Sequence, residues 1–184
     1  MSKKNNPLQA PWVWIDLEMT GLNPKQDRIL EIACVITDPQ LSVIATMDSI
    51  TIACSQELLQ IMDPHVQALH TRSGLLKRVI EATTDLAQAE QQVMAFVQQH
   101  AVQGESLLCG NSIWQDKFFL LEHMPQVIAY LHYRIVDVST VKILINSWYA
   151  GDSRLPFPKQ NKHRALDDIQ ESIAELQFYR KFMV

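Results

Sequence analysis

An aspartate and a glutamate two positions apart interrupt an apolar run near the start of the chain, where WIDLEMTGL carries Asp16 and Glu18. The run has strand composition, and side chains two apart on a strand leave the same face. Trp12 and Trp14 share that face, so it does not read as the solvated side of a half-buried sheet. A fold that buries this strand must hold two carboxylates close together among apolar neighbours. They repel unless positive charge lies between them. A divalent cation meets that need, and an all-oxygen ligand set suits Mg²⁺ or Mn²⁺.

Three more residues extend the pattern. Asp116 lies in GNSIWQDKFF, and His163 and Asp168 lie in HRALDD. Taken singly, each has an ordinary reading: a later aspartate is a surface residue, and His163 is a helix cap or an exposed side chain. Five residues before an acid, the histidine is also placed to take a proton from water. Asp167 and Asp168 both lie off the apolar stripe of their helix, so periodicity does not choose between them. Four carboxylates from three segments can converge on two metal ions about 4 Å apart, an arrangement that serves in-line displacement at phosphorus.

Patterning sets the frame for that convergence. Apolar runs predict strands at 12–19, 29–37 and 41–53, with short connections that make an antiparallel meander. Residues 56–70 read as short helical pieces broken at Pro64. Thr84 or Asp85 caps a helix reaching about His100, with Leu86, Val93, Phe96 and Val97 inward. A short strand at 106–109, a helix over 116–124 and a strand over 134–138 follow. Ser139 or Thr140 then caps a helix to about Tyr149. The last helix runs over 165–182 with Leu166, Ile169, Ile173 and Leu176 as its stripe. Strands first and alternating helices later give an α/β fold, one mixed sheet covered by helices.

At 184 residues and 47% hydrophobic, the chain is near the size of one domain with a full core. A polar tail over 1–10 and one domain over 11–184 are expected. The net charge of −4 argues against a broad basic surface for long nucleic acid, but not against a short anionic substrate. Cys34, Cys54 and Cys109 lack disulfide or zinc spacing and read as reduced thiols. The first ten residues lack an apolar signal core, and no run has the length of a membrane span. A soluble cytoplasmic protein is the expectation.

The blocks WIDLEMTGL, DRILEIA, GNSIWQD, HYRIVDVST and HRALDDIQES together resemble the oligoribonucleases of the DEDDh exonuclease group, within the ribonuclease H-like fold, from Trp14 to Arg180. The resemblance implies a 3'-to-5' exoribonuclease that cuts very short RNA, dinucleotides above all, to nucleoside 5'-monophosphates. It implies a homodimer using two Mg²⁺ or Mn²⁺ ions. Asp16, Glu18, Asp116 and Asp168 match the family's metal ligands, and His163 its catalytic base. Arg164 stands where the tyrosine subclass has its Tyr. Ser112, Arg134, Ser139 and Thr140 match a cap over the substrate's 5'-phosphate. A guanidinium fork, hydroxyls and the N–H groups of a helix start after Ser139 suit that anion. Leu22 matches an apolar wedge between the bases, Tyr133 a residue reaching the neighbouring subunit's site, and His70 a position near the substrate. His65 stands where the family usually carries tryptophan, leaving less area for stacking. A non-catalytic RNA-end binder on the same fold would have lost acids, and all four are present. An exonuclease for DNA or longer RNA would carry extra basic segments, and none appears.

Overall fold

The run that holds Asp16 and Glu18 forms β1 (Trp12–Met19), the middle strand of a five-stranded sheet. A computed structural model describes residues 9–158 and 164–183 of the chain. β2 (Ile29–Thr37) pairs antiparallel with β1, and β3 (Val43–Thr51) antiparallel with β2. On the other side of β1, the short strands β4 (Leu108–Gly110) and β5 (Ile135–Asp137) run parallel to it. The expected meander is present. Its third strand starts later than expected, because Leu41 takes a left-handed turn conformation, φ 71°, that ends the β2–β3 connection.

Both faces of the sheet are covered. Val13, Ile15 and Leu17 of β1 pack against α4 (Leu86–His100), α5 (Ile113–His123) and α6 (Pro125–Tyr130). Trp14 faces the other way, with Trp12 beside it, against α7 (Val138–Trp148) and α8 (Ala165–Arg180). All nine residues of β2 are buried, as a strand covered on two faces requires. The face shared by the tryptophans and the two acids is thus interior, and the mixed sheet flanked by helices expected from the sequence is observed.

After β3, α1 (Gln56–Gln60), α2 (Pro64–Arg72) and α3 (Leu75–Glu81) close over Leu30 of β2 through Leu59, Leu75 and Val79. Pro64 opens α2 rather than merely interrupting a helix. Its missing N–H and fixed φ suit the first helical position, and Asp63 caps the turn. Asp85 caps α4 in a reciprocal pair with Gln88. Two helices, α3 and α6, were not expected. α3 follows Gly74, whose φ of 73° redirects the chain, and α6 opens on Pro125. α5 begins at Ile113, before Asp116 rather than at it.

Candidate active site

The period of two along β1 sends Asp16 and Glu18 out together, and the first turn of α8 brings Asp168 to them. One carboxylate oxygen from each of the three lies within 4.8 Å of the others. Asp167 is not part of that group, so α8 presents Asp168 to the strand where periodicity alone left the two aspartates equivalent.

Asp116 reaches the same strand by a different route and stands outside that trio. β4 pairs with β1 only at Val13 and Trp14, and it ends at Gly110. Past that end, the N–H of Leu17 has no strand to bond. Asp116, one turn into α5 and buried, accepts it through Oδ1 at 3.1 Å. Its carboxylate is therefore fixed at the backbone between Asp16 and Glu18. A Cβ at Gly110 would lie 2.8 Å from Ile113 Cδ1 and 3.1 Å from the carbonyl of Ile15, so glycine permits this close approach of chain to strand.

Burial and mutual repulsion dominate the electrostatics. Asp16 is pushed well above the ordinary carboxylate range by burial, then by Asp116, Glu18 and Asp168. Burial raises Glu18 to about 8, with Asp168, Glu31 and Asp116 adding to the shift and Arg78 opposing it. Burial raises Asp116 to about 7, against hydrogen bonds from its own N–H and that of Leu17. Carboxyls in this state either hold protons at neutral pH or share a cation. The donors are all oxygen and converge from three elements, so they fit a hard divalent ion.

The surroundings hold this cluster in place. His70 is 4% exposed; its Nε2 donates to the carbonyl of Met19 at 2.8 Å, and its Nδ1 lies 3.6 Å from Glu18 Oε2. It therefore stands beside an acid of the cluster. Leu22 is 72% exposed, yet its turn is tightly tied. Asp27 accepts from Thr20 Oγ1 at 2.8 Å and from the N–H of Asn23 at 2.9 Å. Gln115 and His123 of α5 bond the carbonyls of Leu22 and Pro24 at 2.8 and 2.7 Å. A large apolar side chain is thus displayed on a turn braced by α5, the helix that carries Asp116.

A second polar group forms where β5 runs directly into α7. The cap of α7 is Asp137, not Ser139 or Thr140 as the sequence suggested, and its Oδ1 accepts from Ser139 N–H at 2.9 Å. The same oxygen accepts from Ser112 N–H at 3.1 Å. The N–H groups of Ser139 and Ser112 are thus committed to a carboxylate. Ser112 has a left-handed backbone, φ 49°, which brings its Oγ to 3.0 Å from Ser139 Oγ. Ser139 donates to Asn111 Oδ1 at 3.2 Å, and Asn111 in turn bonds the buried carboxylate of Glu175 at 3.0 Å. Thr140 is exposed beside this pair. Arg134 places its guanidinium carbon 5.2 Å from the ring centre of the exposed Tyr133. His65 is exposed on the first turn of α2. His163 lies outside the described residues.

Sequence reasoning missed Asp27, Asp137, Asn111, Glu175 and Glu31. Glu31 carried the clearest signal: it is the one charged residue in the apolar run Ile29–Thr37.

Residues 13–176 match the exonuclease family model. The chain is 47% identical to the oligoribonuclease of Alcanivorax borkumensis over 184 residues, 100% of this chain and 99% of that protein. It is 50% identical to the mitochondrial oligoribonuclease of Mus musculus over 168 residues, 91% of this chain and 71% of that one. Escherichia coli exonuclease I in complex with a 5cy-dT13 oligonucleotide is similar in structure, with a TM-score of 0.67 at 12% identity. That match covers 95% of this chain but 41% of that one. This last likeness shows the ribonuclease H-like fold.

Proposed function

Because the chain belongs to the oligoribonuclease branch of the exonuclease family, we propose that it is a 3'-to-5' exoribonuclease for very short RNA. Its preferred substrate in this reading is the 5'-phosphorylated dinucleotide. Asp16, Glu18 and Asp168, with Asp116 fixed against their strand, would hold two Mg²⁺ or Mn²⁺ ions. Such ions neutralise the cluster and the developing charge of the phosphoryl group. The convergence of the trio is the observation that carries the reading.

The chain's own groups supply the rest. His163 takes the proton from the attacking water. The water oxygen joins phosphorus, the bond to the 3' oxygen breaks, and that oxygen leaves with a proton as the terminal hydroxyl. Leu22 separates the two bases. Arg134 and Ser112 receive the 5'-phosphate, with Thr140 at the rim. Ser139 serves as a strut, since its proton already points to Asn111; the Ser112 hydroxyl then donates to Ser139 Oγ and would turn to the phosphate by giving up that bond. Tyr133, exposed beside Arg134, meets the partner subunit in a homodimer. The described residues contain no helix long and apolar enough to cross a membrane. Three free thiols fit a reducing compartment, here the cytoplasm.

The test compares kcat/KM for a 5'-phosphorylated dinucleotide and a heptamer in the wild type and in Arg134→Ala. The variant should lose far more on the dinucleotide. Equal losses on both, or a wild type that prefers the heptamer, would show that no phosphate grip measures length.

A further inference from the structure

Glu31 is a buried charge in a strand that otherwise carries none, and it stands directly across from Glu18 in the β1–β2 register. Paired residues on adjacent strands share a face, and like charges opposite one another repel. Glu31 is therefore a fifth acid at the edge of a cluster that already holds four. Nothing in the reaction uses it.

Both of its oxygens are engaged. Oε1 lies 2.8 Å from Arg78 Nη2, and Oε2 accepts from the N–H of Ala165 at 3.3 Å. Ala165 is the first residue of α8, and Arg164 before it makes no side-chain cap. The first amides of a helix need acceptors from outside it. Here the acceptor comes from a neighbouring strand instead of from the residue before the helix. Three residues on, within the same turn, Asp168 meets Asp16 and Glu18; its N–H closes that turn onto Arg164 at 2.9 Å. Arg78 comes from α3, which packs on Leu30 next to Glu31. Its guanidinium also donates to the carbonyl of Ser73 at 3.3 Å, so it approaches Glu31 from a fixed base.

We propose that Glu31 and Arg78 are positioning residues for the metal site: together they pin the first turn of α8 to β2 and so set where Asp168 stands. The inference rests on the reading that Asp168 holds metal. It differs from a plain electrostatic role in sign. If Arg78 only cancelled charge, its removal would leave Glu31 uncompensated and tighten the hold on a cation. If Arg78 braces Glu31, its removal loosens the turn and weakens that hold.

The experiment titrates Mn²⁺ alone into the full chain by calorimetry. It also follows amide exchange in the first turn of α8 in the metal-free protein. Arg78→Gln should weaken Mn²⁺ binding on the order of tenfold, the usual scale for loss of a partner behind a metal ligand. It should also speed exchange at Asp168, and Arg78→Lys should restore most of both. Glu31→Gln is a second route. Its single amide oxygen serves either Arg78 or Ala165 but not both, so it should show the same fall. Binding as tight as wild type or tighter in Arg78→Gln, with exchange unchanged, would overturn the proposal. If Arg78→Gln does not fold, wild-type binding and exchange in Glu31→Gln overturn it alone. Asp168→Asn separates the two levels. Undiminished Mn²⁺ binding there would show that the ligand assignment itself has failed.

Discussion

Metal-free protein should lose stability as the pH rises from about 5 to 8, the reverse of what an ion-paired carboxylate gives. Burial and neighbouring acids lift Glu18 from its ordinary 4.5 to about 8 in the folded protein. Between those values the folded chain holds a proton that the unfolded chain releases, so added base favours unfolding. The loss begins above about 4.5 and is complete above about 8. Each pH decade of difference corresponds to about 1.36 kcal/mol. The full interval thus amounts to about 5 kcal/mol, and relaxation with water entry brings the expected figure to roughly 3–5 kcal/mol. For a chain of this size that corresponds to a Tm lower by on the order of 10 °C. The assay is a thermal melt in chelator at several pH values, repeated with Mn²⁺. The ion should restore Tm strongly near pH 8 and weakly near pH 5, where it must first displace protons. Glu18→Gln should make the chelator curve shallower, with Asp16 and Asp116 supplying the remaining slope. A Tm that holds steady or rises toward pH 8 in chelator would refute the reasoning, as would equal stabilisation by Mn²⁺ at both ends.

Three other outcomes are expected. His163→Ala should lower kcat by about 10²–10⁴-fold while Mn²⁺ binding persists in calorimetry; near-normal turnover at neutral pH would remove it as the base. In Gly21→Ala the new Cβ would lie 2.5 Å from Asp27 Oδ2, so the carboxylate must leave Thr20 or Asn23. Denaturant melts should then show a loss of about 1–3 kcal/mol, and KM for dinucleotide should rise as Leu22 loses its support. Light scattering should give about twice the 21.1 kDa of one chain; a fully active monomer would exclude a shared site.

The sequence disclosed the site where local rules decide it. Asp16 and Glu18 were legible because a strand has a period of two and the tryptophans marked their face as interior. Asp168 was legible only as one of two helical neighbours, since both lie off the stripe; the choice depends on how α8 is docked, and a tertiary bond from Glu31 supports that docking. Asp116 was legible as a member of the acidic set, but the contact that fixes it was not. Its place depends on the end of β4 at Gly110, which the glycine marks in the sequence, and on the Leu17 N–H left beyond that end, which only the pairing of β4 with β1 reveals. The cap of α7 was misread for a similar reason. β5 passes into α7 with no loop between them, so the capping residue is itself the last residue of a strand. The short helices α3 and α6 lack the length over which periodicity becomes visible.

The early end of β4 has a further consequence. The amide of Leu17 is a donor with two possible claimants, the next rung of a parallel ladder or the side chain of Asp116. The left-handed Ser112 decides between them by turning the chain off the ladder after Gly110. Sheet and site are thus in competition for one proton. A sequence change at 112 that favours extended backbone would extend the sheet and displace the aspartate, leaving a protein that keeps its fold and cleaves poorly. Growth of the most regular element in the fold is, at this one rung, a route to inactivation.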